Sequence, residues 1–145
     1  MPTIFRLDPG PRLAEATVFN RVAYLAGQIP TDPSADIVGQ TAQTLAEVDA
    51  VLARLGTDKS RLLDVTIFLA DMADYNGMNQ AWDAWVDTAH PPARATVAAQ
   101  LANPDWKIEI KALDARFGVA YAHRKSIAAR LFLATHSHYY FSFMP

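Results

Sequence analysis

The chain has 145 residues, 51% of them apolar, and a formal charge of −2 at pH 7. That is enough for one domain with a real core, and a pI near 6.0 offers no basic face, so a dedicated nucleic-acid role is disfavoured. There is no cysteine, which excludes a disulfide framework, a thiolate metal site and a cysteine nucleophile.

The opening MPTIFRLDPGPR has no apolar signal core, and no run reaches about 18 apolar residues, so a soluble cytoplasmic protein without membrane attachment is expected. Residues 3–7 read as a short strand closed by Asp8-Pro9-Gly10-Pro11, which cannot continue a ladder. Residues 13–19 and 22–26 read as strands around an Asn20-Arg21 turn, a tight hairpin in which Asn tolerates the left-handed region. Residues 39–55 carry apolar or half-apolar side chains at Thr41, Leu45, Val48, Val51, Leu52 and Leu55, with Gly56 following, which predicts a helix with a glycine stop.

The run 62–70, LLDVTIFLA, is apolar on both alternating faces and predicts a central strand. Asp71 and Asp74 are candidate caps for a second helix through residue 88, with Tyr75, Met78, Trp82 and Val86 on one stripe. Gly77 weakens its first turn, and His90-Pro91-Pro92 stops it. Tyr75, Trp82 and Trp85 at this spacing read as core and interface packing. Finally, residues 94–100 and 107–113 flank the turn-forming Ala102-Asn103-Pro104-Asp105, which predicts a hairpin. In that register Glu109 lies near the row of Arg94 and Thr96. Two readings stay open: a cross-strand ion pair, worth about 0.2–1 kcal/mol, or the two ends of a small-molecule site.

The order of three strands, helix, strand, helix and two strands predicts an α+β domain. Two helices cover only one face of such a sheet, so the other face needs burial, and further copies of the same chain are the economical source.

The strings PARATV and, after a loop, KIEI resemble the P-A-R and I-E-I elements of the Rid family, the YjgF-type reactive-intermediate deaminases. LAGQIP at residues 25–30 and MNQAWDAW at residues 78–85 also resemble family segments in the expected order, and the WDAWV helix is similar to the YoaB-like branch. The resemblance covers roughly residues 3–115. It implies a chorismate-mutase-like mixed sheet of about six strands with two helices on one face, assembled as a homotrimer with sites between subunits. It implies that Arg94 holds the carboxylate of an imino acid, a pairing that suits a guanidinium because two parallel charge-assisted bonds fix orientation. Glu109 would activate water and move protons, Thr96 stands where many members have cysteine, and Asn79 matches an asparagine of the pocket. Two positions depart from the pattern: Ala26, just before Gly27, replaces a frequent serine, and Leu13 stands near an early tyrosine.

The implied activity is cofactor-free hydrolysis of 2-imino acids or enamines to 2-keto acids and ammonia, with no metal. Loss of two hydroxyls keeps open an alternative of another class, a module that binds or senses a small carboxylate such as a keto acid without turnover. An endoribonuclease reading ranks last, since the acidic pI argues against tight RNA binding. Residues 1–116 form the family-like domain, and residues 117–145 are an atypical extension expected to dock or to be poorly ordered. Within it, residues 124–134 suit a helix and residues 139–143 are strand-prone, while His136 and His138, with His123, have no acidic or cysteine ligand nearby, which argues against a zinc site.

Overall fold

The computed structural model describes residue 1 and residues 3–115. The expectations for residues 117–145 lie outside the described residues.

Six strands form one mixed sheet: β1 (Phe5–Leu7), β2 (Ala16–Phe19), β3 (Val22–Leu25), β4 (Leu62–Leu69), β5 (Ala93–Ala98) and β6 (Ile108–Ala115). Their spatial order is β1-β2-β3-β6-β4-β5. All neighbours are antiparallel except β4 and β5, which run parallel through the crossover helix α2 (Tyr75–Trp85). The β2–β3 turn has positive φ at both Asn20 (50°) and Arg21 (64°), the backbone that a two-residue turn needs to match strand twist.

Helix α1 (Ile37–Arg54) starts at Asp36, whose carboxylate accepts the Gly39 N–H at 2.8 Å, and stops at Gly56 with φ of 76°. Its buried stripe of Leu45, Val48, Val51 and Leu52 packs with Met78 and Trp82 of α2 over Leu25, Val65, Ile67, Leu69, Ile108 and Ile110. Each fully buried Leu or Ile contributes about 1.5–3 kcal/mol. Gly77 lies where α2 meets α1: a Cβ there would stand 2.5 Å from Ile37 Cγ2, so this glycine allows the helices to approach. The second helix is shorter than expected, ending at Trp85, and Asp71 caps a 3-10 turn (Met72–Asp74) that leads into it.

Both helices lie on one face. On the other, Tyr24, Thr66, Phe68, Val97, Glu109, Lys111 and Leu113 are exposed or half-buried.

The predicted hairpin is not there. The strands exist, but β4 lies between them: β5 pairs with one edge of β4 and β6 with the other. Residues 99–107 arch over the end of β4, tied by Ala99 N–H to Leu69 O (2.9 Å) and Ala70 N–H to Lys107 O (3.0 Å). The most apolar strand thereby gains a ladder on both edges, which a β5–β6 hairpin would deny it. Gln40, fully buried on α1, holds this arch: its carbonyl accepts Lys107 N–H at 2.8 Å, and its amide donates to Asp105 O at 3.2 Å and Pro33 O at 2.8 Å.

Candidate active site

Paired residues on neighbouring strands share a face. Arg94 pairs with Val65 and Thr96 with Ile67, both buried under the helices, so Arg94 and Thr96 belong to the helix face at the edge strand β5. Helix α2 meets them with Tyr75, Asn79 and Trp82, which follow one another at four and three residues and so form one stripe. Arg94 Nη1 donates to Asn79 Oδ1 at 2.8 Å, and Nη2 reaches Tyr75 Oη at 3.4 Å. The guanidinium carbon stands 5.0 Å from the centre of the Trp82 ring, a cation–π contact. Thr96 Oγ1 is buried and has no partner among the described residues.

Glu109 belongs to the other group. It pairs with Phe68 on the uncovered face, and its carboxylate lies against the Cα of Gly27, where any Cβ would collide with Glu109 Oε1. The same corner is built by Gln28, which exchanges backbone bonds with Ile110 (2.7 and 2.9 Å) and whose side chain donates to Glu15 Oε1 at 3.2 Å and Ala26 O at 3.0 Å. Ala26 N–H donates to Glu15 O at 2.9 Å. Beside Gly27 and Gln28 a depression of about 350 Å³ is bordered by Glu15, Thr31 and Glu47.

The six residues singled out in the sequence therefore fall into two groups: Arg94, Thr96 and Asn79 on one face, Glu109, Gly27 and Ala26 around the corner that serves the other. The expected proximity of Glu109 to Arg94 within one chain is corrected. With β4 between them, and three residues of register, their Cα atoms stand roughly 14 Å apart by strand spacing. A cross-strand ion pair between them is excluded in this chain. Lys111 Nζ donates to Leu25 O at 2.9 Å. Among the described residues, neither Arg94 nor Glu109 has an oppositely charged partner.

Two features escaped the sequence reading. Trp82 is core, as expected, but also the platform under Arg94, and Tyr75 is not core at all, being 39% exposed. The signal was the stripe itself, an aromatic, an amide and an aromatic on one side of α2. The second feature is Asp114 on β6, fully buried, with no hydrogen-bond partner for either oxygen among the described residues. Burial pushes its carboxyl up to about 7, while the Thr57 hydroxyl and Arg61 favour the charged form and Asp58 opposes it.

Residues 3–115 match a family model described as Endoribonuclease L-PSP. The chain belongs to this family, that of the YjgF-type Rid proteins. A RutC family protein of Haemophilus ducreyi is 52% identical over 107 residues, which span 74% of this chain and 92% of that protein. The RutC family protein YoaB of Escherichia coli K12 is 49% identical over 113 residues, covering 78% and 98%. Among solved structures, a YjgF-family protein from Neisseria meningitidis superposes with a TM-score of 0.76 at 42% identity, covering 79% of this chain and 95% of that one. The strand and helix order of this Rid protein and its YoaB-like character thus agree with the sequence-level expectation, and no helix among the described residues is long and apolar enough to cross a membrane.

Proposed function

We propose that this Rid protein hydrolyses 2-imino acids, or their enamine tautomers, to 2-keto acids and ammonia, without a cofactor, in a pocket that two copies of the chain build together. The observation that carries this reading is that Arg94 and Glu109 each lack a countercharge among the described residues and face opposite sides of one sheet. An edge-strand guanidinium, held on Trp82 and Asn79, is prepared for a carboxylate from outside the chain. The uncovered sheet face around Glu109 suits packing against further copies, and a cyclic homotrimer of the kind expected for the family would set the Arg94 edge of one copy beside Glu109 of the next.

In such a pocket the substrate carboxylate takes the free donors of Arg94. Water oriented by Glu109 of the adjoining copy adds to the imine carbon, giving a tetrahedral carbinolamine. The Glu109 carboxylate takes a proton from the attacking water and passes it to the imine nitrogen, then takes the hydroxyl proton of the carbinolamine and passes it to the amino group; the C–N bond breaks and ammonia leaves as the keto group forms. Since free imines hydrolyse readily in water, orientation and one acid–base group supply a sufficient acceleration.

A second reading, ligand binding without turnover, is favoured by one feature: Ala26 and Leu13 stand where the family pattern has hydroxyl-bearing residues. Generating 2-iminopropionate in situ with an amino-acid oxidase and following its decay separates the two. The deaminase reading expects wild type, but not Arg94→Ala, to speed hydrolysis; decay at the buffer rate with retained pyruvate binding favours the binding module.

A further inference from the structure

We infer that Tyr75 is a ligand-contacting residue of the Arg94 site, its hydroxyl donating to the oxygen or nitrogen at the 2-position of a 2-keto or 2-imino acid. This rests on the proposed role of Arg94 and adds the group that would distinguish these acids from plain carboxylates. Tyr75 opens α2, where the helix leaves its capped 3-10 turn, and its ring stays 39% exposed while Met78 and Trp82 on the same helix are buried. A tyrosine kept out of the core yet aimed at a guanidinium is not explained by packing.

The hydrogen-bond inventory gives the role. The contact from Arg94 Nη2, at 3.4 Å, uses the phenolic oxygen as acceptor, so the phenolic proton points elsewhere and is free to donate. Asn79 Oδ1 already takes a donor of Nη1, and Trp82 covers one face of the guanidinium. The Nη2 side, flanked by Tyr75, remains for a carboxylate. In a 2-keto or 2-imino acid the 2-substituent lies next to one carboxylate oxygen, so a carboxylate on Nη2 brings that substituent beside the Tyr75 hydroxyl. A neutral donor at this point would stabilise the keto oxygen, the imine nitrogen or the tetrahedral adduct, and would replace a pocket hydroxyl missing at Ala26.

The test is a comparison of pyruvate with propionate, which lacks the 2-oxo group, by calorimetry on the full chain for wild type, Tyr75→Phe and Arg94→Ala at matched oligomer content. Arg94→Ala should lose both ligands. Tyr75→Phe should weaken pyruvate by about 5- to 10-fold, the loss expected for one hydrogen bond, and leave propionate within about twofold. Equal weakening of both ligands would mean that Tyr75 only positions Arg94, and no weakening of either would remove it from the site; each result overturns the inference while sparing the Arg94 reading. If Arg94→Ala binds pyruvate as wild type does, the Arg94 reading fails and this inference falls with it.

Discussion

Arg94 and Glu109 sit on opposite faces of the same sheet, on strands separated by β4 and three residues out of register. One chain therefore cannot bring a guanidinium-bound carboxylate and the Glu109 carboxylate to one small molecule. Because β5 is an edge strand and neither described helix covers the face around Glu109, the proposed pocket draws on two copies.

Gly27 controls where the Glu109 carboxylate stands. A Cβ at position 27 would collide with Glu109 Oε1, the far end of a flexible side chain, so Gly27→Ala should leave the fold intact and displace the carboxylate. The expected outcome is a thermal midpoint within a few degrees of wild type and iminopropionate hydrolysis reduced by roughly 10-fold or more. Unchanged hydrolysis would detach the Glu109 position from activity.

Asp114 makes stability depend on pH in the direction opposite to most carboxylates. Its folded value near 7 lies above the ordinary 3.8, so the folded chain holds a proton that the unfolded chain has released. The stabilisation is fully present below about pH 4, and it is lost as pH rises through about 7. Asp114→Asn should abolish this slope and be more stable than wild type at pH 8 by roughly 1–3 kcal/mol, with little or no advantage at pH 4. Urea unfolding at the two pH values measures it; parallel slopes for both proteins would contradict the burial argument.

Gln40 ties the arch over β4 to α1 through bonds that water cannot replace at a fully buried site. Gln40→Leu leaves Lys107 N–H without its acceptor and should cost about 2–4 kcal/mol in chemical denaturation, with hydrogen exchange at Lys107 accelerated. A cost below about 0.5 kcal/mol would show that the arch holds itself.

Much of the fold was legible because local signals were strong and consistent. Asn20 marked the tight turn, Gly56 ended α1, and the doubly apolar run marked β4. The position of β5 relative to β6 was not legible. Strands adjacent in sequence usually pair, and Asn103-Pro104-Asp105 is good turn chemistry. The opposing requirement, a ladder for both edges of β4, is a property of the whole sheet and leaves no local mark. The same error put Arg94 and Glu109 side by side, since a strand inserted between them changes both distance and face. The identities of the charged residues were readable; whether they meet in one chain or across two depends on topology. Asp114 follows Ile108, Ile110 and Ala112 on the buried face of β6, a placement that the alternation carries but that a carboxylate at the strand end does not advertise.

The central claim, that each pocket takes Arg94 from one copy and Glu109 from another, is tested most directly by mixing two inactive variants. Arg94→Ala and Glu109→Gln subunits, unfolded together in equal amounts and refolded, should regain activity, because a pocket that draws Arg94 from a Glu109→Gln copy and Glu109 from an Arg94→Ala copy is intact. Random assembly in a cyclic oligomer makes about a quarter of all pockets of this kind, so about a quarter of the wild-type rate is expected. A mixture no more active than either parent, while refolded wild type recovers fully, would contradict the shared pocket.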